Sequence, residues 1–545
     1  MSGVLLLPWL NPLASGPSPA VVPLLVSIAC AAVLVACRPV AAGPRMGAAA
    51  GWLPALGVGA WLLVACIGAL GFAGHEGVGL LAALATVLAA AWYASAPAAA
   101  PSWLASAWLA AALLSSVAAL LQYFQLAHVF APWINTAAAG EAYANLRQRN
   151  QFASLTAIGL VALGWLVAQG YLRRLAVPAA VLLALGTAAS ASRTGLLQLL
   201  VLALLAGWWS RGWRAAPVRL MGWALLAYAV ATPGLPWLLD ATGRGHADSA
   251  FWRLTQDVGC HSRSVLWANV LELTAWQPWT GWGWGELDRA HYLTLVDGPR
   301  FCDILDNAHN LPLHLAVELG VPAAVLLLGA VGWAVLRARP WRERDATRQM
   351  AWGVLLVIGL HSLLEYPLWY GPFQMAAGLA LGLLLRPAVP QTPVYVQKVP
   401  MVSATQAFIA SVMIACVAYA AWDYRRISQV YLAADARAPA YREHTLEQAQ
   451  ASWLFRQQVA FATLTTTDLR PANAAAVYAQ AQAVLHYSPE ARVVEKLIES
   501  AVMLGRDDEA LAHLARFRAA YPDAYATWVA GNHTLPGAVR ATAQP

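Results

Sequence analysis

Long apolar runs constrain this chain more than any other feature. Stretches of about 17 to 25 predominantly apolar residues, the length a helix needs to cross a hydrocarbon core of about 30 Å, recur near residues 20–37, 50–72, 78–96, 103–122, 151–170, 175–192, 194–210, 217–239, 311–336, 350–366, 371–386 and 404–421. Lipid offers the backbone no hydrogen-bond partners, so such runs cross as helices. The reading is an all-α polytopic membrane protein with 12 spans, or 13 if the short apolar piece Val4–Leu13 also crosses. A soluble globule is excluded: 60% of residues are apolar and 11% charged, where soluble domains carry roughly 25% charged residues. The net charge of +7 does not indicate a nucleic-acid partner, because the basic residues are dispersed in short clusters between apolar runs with no dense stripe.

Those clusters orient the chain instead. Arg38, Arg45, Arg173, Arg174, Arg211, Arg214, Arg219, Arg337, Arg339, Arg342, Arg344, Arg348, Arg386 and Lys398 all fall on one side of the predicted spans, which the positive-inside rule makes cytoplasmic. The other side receives residues 122–150, the turn at Ser192 and Arg193, a polar aromatic-rich loop over 240–310, the 365–371 turn and everything after Trp422. Residues 1–422 thus form a membrane domain and 423–545 an outer helical domain. Gly505 separates two helical stretches, 488–497 and 507–514, in the manner of a tetratricopeptide hairpin, with Tyr521-Pro522 ending the second. A solenoid needs about three repeats, so the tail reads as a small helical cap. Val4–Leu13 lacks a preceding basic stretch, so no cleavable signal is expected. Cys30, Cys37, Cys66 and Cys416 lie in apolar runs, while Cys260 and Cys302 lie in the loop; in an oxidising compartment the latter two are candidates for a disulfide.

Long loops between elements are usually functional or disordered, and this one closes on Cys302-Asp303-Ile304-Leu305-Asp306-Asn307-Ala308-His309-Asn310 just before an apolar run. Asn310 is placed to cap the following helix, with Pro312 in its first turn, so His309 precedes a helix N-terminus, where backbone donors favour an anion. Asp303 and Asp306 with His309 offer an alternative, a divalent metal, for which no second ligand cluster is evident. Arg193, in Ser-Arg-Thr-Gly between two runs, is either an interfacial anchor or an anion site. Arg263 opens a helix in the loop and has a solvated-face alternative. Arg147, Gln148, Arg149, Asn150 and Gln151 stand at the mouth of a span, with Asn150 a candidate N-cap and Gln151 an amide needing a partner. Glu365, Tyr366 and Tyr370 end another span, as an aromatic belt that includes a carboxylate. Gly281-Trp282-Gly283-Trp284-Gly285 lacks the strand, lysine and helix of a phosphate loop and reads as a turn allowing close backbone approach.

In order, Arg147–Ala153, Ser192–Gly195, Arg263 with Trp267, Gln277–Gly285, Asn307–Asn310 with Glu318–Gly320, and Glu365–Tyr370 resemble the motifs of bacterial O-antigen ligases and protein O-oligosaccharyltransferases. The Asn-Ala-His-Asn form, the Glu-Tyr-Pro-Leu-Trp-Tyr turn and the long tail are similar to the PglL-type branch. Asn307 and His314 depart from the pattern, standing where a second His and a Gln are expected. The resemblance implies a GT-C-like fold in the bacterial inner membrane with the active site on the periplasmic face. It implies an undecaprenyl-diphosphate-linked glycan donor held among membrane lipids, and no cofactor or obligatory metal. The implied catalytic group is His309, Arg193 and Arg263, with Arg147 to Gln151, Asn307, Asn310, Glu365, Tyr366 and Tyr370 as substrate contacts. The acceptor is a Ser or Thr hydroxyl of a periplasmic or pilin-like protein, with lipid A core or a growing O-antigen as rivals. A lipid-linked sugar transporter is the reading from another class, but its midplane charges and repeated halves are not visible here.

Overall fold

The computed structural model describes residues 2–13, 16–38, 76–96, 99–210, 215–245, 259–386 and 402–531. The expected span over 50–72, together with Arg45, Cys66, Arg211, Arg214 and Lys398, lies outside these residues. By internal contact the chain divides into two units: Met1–Cys66 with Val78–Gln256 and Gly332–Ala421, and Ile67–Gly77 with Asp257–Val331 and Trp422–Pro545.

The first, the membrane unit, holds α1 (Ser2–Leu10), α2 (Val21–Ala36), α3 (Glu76–Ser95), α4 (Pro101–Tyr123), α5 (Arg149–Ala168), α6 (Ala176–Ala189), α7 (Arg193–Ser210) and α8 (Ala216–Ala241). The loop of the second unit contributes α9 (Arg263–Trp276), α10 (Leu287–Leu293) and α11 (Leu311–Leu319), and α12 (Val321–Ala338) leads back to the first, which continues with α13 (Ala346–Ser362) and α14 (Gly371–Leu384). After α15 (Ala404–Ser428) the tail forms α16 (Thr445–Ala449), α17 (Arg456–Thr466), α18 (Ala474–Val484), α19 (Ala491–Met503), α20 (Asp507–Ala520) and α21 (Pro522–Gly531). Seven of the described helices are long and apolar enough to cross a membrane. This is a helical, multi-pass membrane protein. With 9 residues, α1 reaches only about 14 Å, too short to cross alone.

Helix α5 is the hub of the membrane unit, packing on α4, α6, α7, α8 and α13, and 83% of its apolar window is buried. Lipid tails are as apolar as leucine, so helices in a bilayer associate through close packing rather than by escaping water. The sequence provides for this with small residues: a Cβ on Gly159 of α5 would stand 2.5 Å from Ala112 Cβ of α4, and one on Gly195 of α7 would stand 2.7 Å from Ala153 Cβ of α5.

The run 311–336, expected as one span, is two helices. They break at Gly320, whose φ of +84° is a left-handed conformation that side chains resist. The cause is tertiary. The loop segment Pro278–Gly283 lies against the break, with Val321 N–H donating to Pro278 O (2.8 Å), Trp282 N–H to Val317 O (2.9 Å) and Gly283 N–H to Glu318 O (3.0 Å). A Cβ on Gly320 would meet Trp279 O at 2.3 Å, and one on Gly281 would meet Glu318 O at 2.3 Å. The glycine-tryptophan segment is therefore the close-approach turn read from its composition.

The tail packs its helices around Val493, Val494, Leu497 and Ile498 of α19 and Phe517 of α20, and Tyr292 of α10 is buried in the same core. The α19–α20 hairpin turns at Gly505, φ +69°, and α20 stops before Tyr521-Pro522, as the sequence suggests. Loop and tail are also latched by polar contacts. Tyr292 Oη bonds His513 Nδ1 at 3.0 Å, His486 Nδ1 lies 2.7 Å from Glu286 Oε1, and Arg516 Nε–H donates to Leu293 O at 2.9 Å.

Candidate active site

In the membrane unit, the polar residues gather where α5, α7 and the end of α13 meet. The cap of α5 is Gln148, whose Oε1 accepts from Gln151 N–H at 2.8 Å, and not Asn150. The Asn150 carboxamide is used between helices: its Oδ1 accepts from Ser192 Oγ–H (2.6 Å) and its Nδ2–H donates toward Glu365 Oε1 (3.4 Å). Ser192 Oγ in turn accepts from Gly195 N–H at 3.0 Å, which starts α7 at Arg193. That arginine is exposed and no hydrogen bond or ion pair is recorded for it among the described residues. Glu365 is 7% exposed and Gln151 3%, and the Gln151 Nε2 amide has no hydrogen-bond partner among the described residues. Tyr366 stacks on Tyr370 with ring centroids 5.8 Å apart and meets Trp369 edge-on. The neighbouring arginines are committed to the fold: Arg147 donates to Pro12 O and Asn135 Oδ1, and Arg149 pairs with Glu141.

Behind this group lies a buried relay that the sequence did not single out as site residues. His361 Nδ1 bonds Ser154 Oγ (2.9 Å), Gln198 Nε2–H donates to Ser154 Oγ (2.8 Å) and to Val357 O (3.0 Å), and Glu365 N–H donates to His361 O (2.8 Å). Polar side chains in a helix core need such partners. The only signal was three isolated polar residues inside apolar helices.

The loop–tail unit holds the second group. Cys260 and Cys302 form the expected disulfide, and the adjoining His261 Nδ1 and Asp303 Oδ2 lie 2.8 Å apart. Ser262 caps α9 by accepting Val265 N–H, which places half-buried Arg263 in its first turn. One helical turn on, Trp267 Nε1–H donates to Ala308 O at 3.1 Å. Residues 302–308 therefore run beside the start of α9, and this run brings His309 to the helix that bears Arg263. His309 itself adopts φ +48°, with its N–H donated to the side chain of buried Asn307 at 2.9 Å. Asn310 caps α11 as expected, accepting Leu313 N–H at 3.1 Å.

Although part of Asp306 is exposed, desolvation within the loop raises its carboxyl above the usual range, and His309 opposes that shift. His314, in the position expected to hold Gln, pairs with Glu318 at 3.4 Å, both almost fully buried, and meets Trp284 edge-on. Among the described residues the one cluster with metal-ligand composition is Cys260, His261 and Cys302, and its two sulfurs are bonded to each other. The structure thus brings Arg263, Asn307, His309 and Asn310 into one unit, and Gln148, Asn150, Gln151, Arg193, Glu365, Tyr366 and Tyr370 into the other.

A multi-pass membrane protein with an acid-, amide- and arginine-lined helix junction and a cross-linked polar loop is the class that this architecture defines. Comparison with known proteins narrows it. Residues 142–167 match the protein glycosylation ligase family, residues 178–328 the O-antigen ligase family, and residues 349–535 the C-terminal region of virulence factor membrane-bound polymerases. A general O-oligosaccharyltransferase of Acinetobacter baylyi is 26% identical over 294 residues, covering 52% of this chain and 50% of the relative. The chain is thus similar along successive stretches to protein glycosylation ligases, O-antigen ligases and membrane-bound polymerases, and it spans about half the length of the oligosaccharyltransferase it matches.

Proposed function

We propose that the protein transfers a preassembled oligosaccharide from undecaprenyl diphosphate to a Ser or Thr hydroxyl of a periplasmic or pilin-like protein, at the outer face of the bacterial inner membrane. In this reading the chain crosses 12 times in a GT-C-like arrangement, and the tail is a periplasmic, tetratricopeptide-like domain. The observation that carries it is the position of His309 beside α9, held by the disulfide and the Trp267–Ala308 bond, in a chain similar to these ligases.

The chemistry sets two opposite demands. The diphosphate is a good leaving group, so it needs positive charge more than a proton. Arg263 and Arg193 stay protonated and offer planar forks to phosphate oxygens. The acceptor hydroxyl is a poor nucleophile until its proton leaves, and His309 takes that proton as the oxygen attacks the anomeric carbon. Direct displacement inverts that carbon: the new C–O bond forms as the bond to the diphosphate breaks. Asn150, Glu365, Tyr366, Tyr370, Gln148 and Gln151 are proposed contacts for sugar and headgroup, with Asn307 and Asn310 framing the acceptor.

The matches to O-antigen ligase and membrane-bound polymerase families favour a second reading, in which lipid A core or a growing glycan accepts. Purified protein in vesicles with lipid-linked glycan, offered a pilin-like protein or lipid A core, separates the two. Glycan on a protein hydroxyl supports the first, glycan on core or polymer alone supports the second, and movement of lipid-linked glycan across the bilayer with no new conjugate refutes both.

A further inference from the structure

We infer that the loop docks on the bilayer surface through Trp276 and Trp279, and that the partner of this surface is the headgroup layer of the leaflet on that side. The argument starts from α12. Only 6% of its apolar window is buried, and Val325, Leu326, Val331 and Trp333 are 62–74% exposed, so this helix faces lipid along its length. Arg337 lies in its last turn. From there back to Val321 the helix covers about 24 Å at 1.5 Å per residue, close to the thickness of a hydrocarbon core of about 30 Å. Val321 therefore marks the opposite boundary.

The loop is tied to that boundary by its backbone. Val321 N–H donates to Pro278 O at 2.8 Å, and a Cβ on Gly320 would touch Trp279 O at 2.3 Å. Trp279 thus leaves the main chain at the level where α12 enters lipid, and the interfacial layer on each side is roughly 5–8 Å deep, about the reach of an indole. As residues, Trp279 is 78% exposed and Trp276, which ends α9, 66% exposed. No hydrogen bond is recorded for either indole N–H among the described residues. In water two such rings are an unsatisfied apolar patch. In the headgroup layer the ring bodies meet acyl carbons and each N–H meets a lipid carbonyl or phosphate oxygen, the setting that tryptophan prefers. The dock fixes one end of α9, and the other end carries Arg263.

The test needs no turnover, so it stands apart from the ligase reading. An environment-sensitive fluorescent amino acid replaces Trp279 in the full chain, reconstituted in phosphatidylethanolamine and phosphatidylglycerol vesicles. The expected result is blue-shifted emission, quenching by lipid carrying a nitroxide near the headgroup, and iodide access several-fold below that of the free fluorophore. Iodide access equal to the free fluorophore, with no quenching by the labelled lipid, overturns the inference. The same label at Trp276 repeats the measurement with the same two outcomes where the first variant does not fold.

Discussion

The two polar groups of this protein are built by opposite means. In the membrane unit the helical backbone bonds to itself, so neighbouring helices are joined by side chains: Ser192 to Asn150, Asn150 to Glu365, and Gln198 through Ser154 to His361. In the loop–tail unit main-chain groups are free to take part. The candidate site there is set by backbone pairing at the Gly281–Gly320 crossing, by the Cys260–Cys302 bond and by side chains that grip carbonyls, as Trp267 grips Ala308. The difference teaches where each half is vulnerable. Single polar side chains matter most in the first, and single backbone positions in the second.

Among changes that probe this contrast, the largest effect is expected from the charge that the loop presents. Arg263→Ala should lower transfer on the order of a hundredfold or more, while Arg263→Lys, which keeps the charge and loses the fork, should recover part of it. Turnover with lipid-linked glycan checks both. Next comes the crossing itself. Gly320→Ala forces a methyl into Trp279 O at φ +84°, which should cost on the order of 2–3 kcal/mol of loop stability, read by thermal unfolding and by proteolysis within the loop. An alanine tolerated there without loss would break the contrast between the halves.

This crossing also shows the limit of the sequence. The run 311–336 contains three glycines, and Gly329 and Gly332 lie within the helix in open surroundings while Gly320 breaks it. Pro322, two residues after Gly320, is a local mark of a break; what is not local is the segment some forty residues earlier that lies against it. Apolar runs were legible because a bilayer enforces length and composition directly, and the α9 and α11 starts were legible because Ser262 and Asn310 are short polar caps. Asn150 has the same cap chemistry but is claimed by Ser192 and Glu365, which leaves the cap to Gln148. The relay through Ser154 and Gln198 required knowing which faces of α5, α7 and α13 meet. The disulfide was legible as a pair of loop cysteines; its role in laying residues 302–308 beside α9 was not.

A smaller, pH-dependent effect should separate the units. Burial, with Arg300 nearby, lowers His291 to about 3, and burial, with Arg516 nearby, lowers His513 to about 4. Both are neutral when folded and take a proton near pH ~6.5 when unfolded, so the unfolded chain binds more protons between those values. Loop–tail stability is therefore full above about pH 6.5 and is lost as pH falls toward 4, and His513→Gln should weaken that dependence in thermal melts taken across this range. The smallest effect belongs to the membrane half. Ser192→Ala removes one side-chain bond and the cap on Gly195, which should cost about 1 kcal/mol in chemical unfolding, without altering the melting of the loop.

The central claim is that His309 takes the acceptor proton, and its most direct test is transfer by His309→Ala protein reconstituted beside wild type with saturating lipid-linked glycan and acceptor. The account predicts a loss of roughly 10²–10⁴-fold in rate with donor binding and thermal unfolding unchanged. Wild-type turnover in that variant would contradict it.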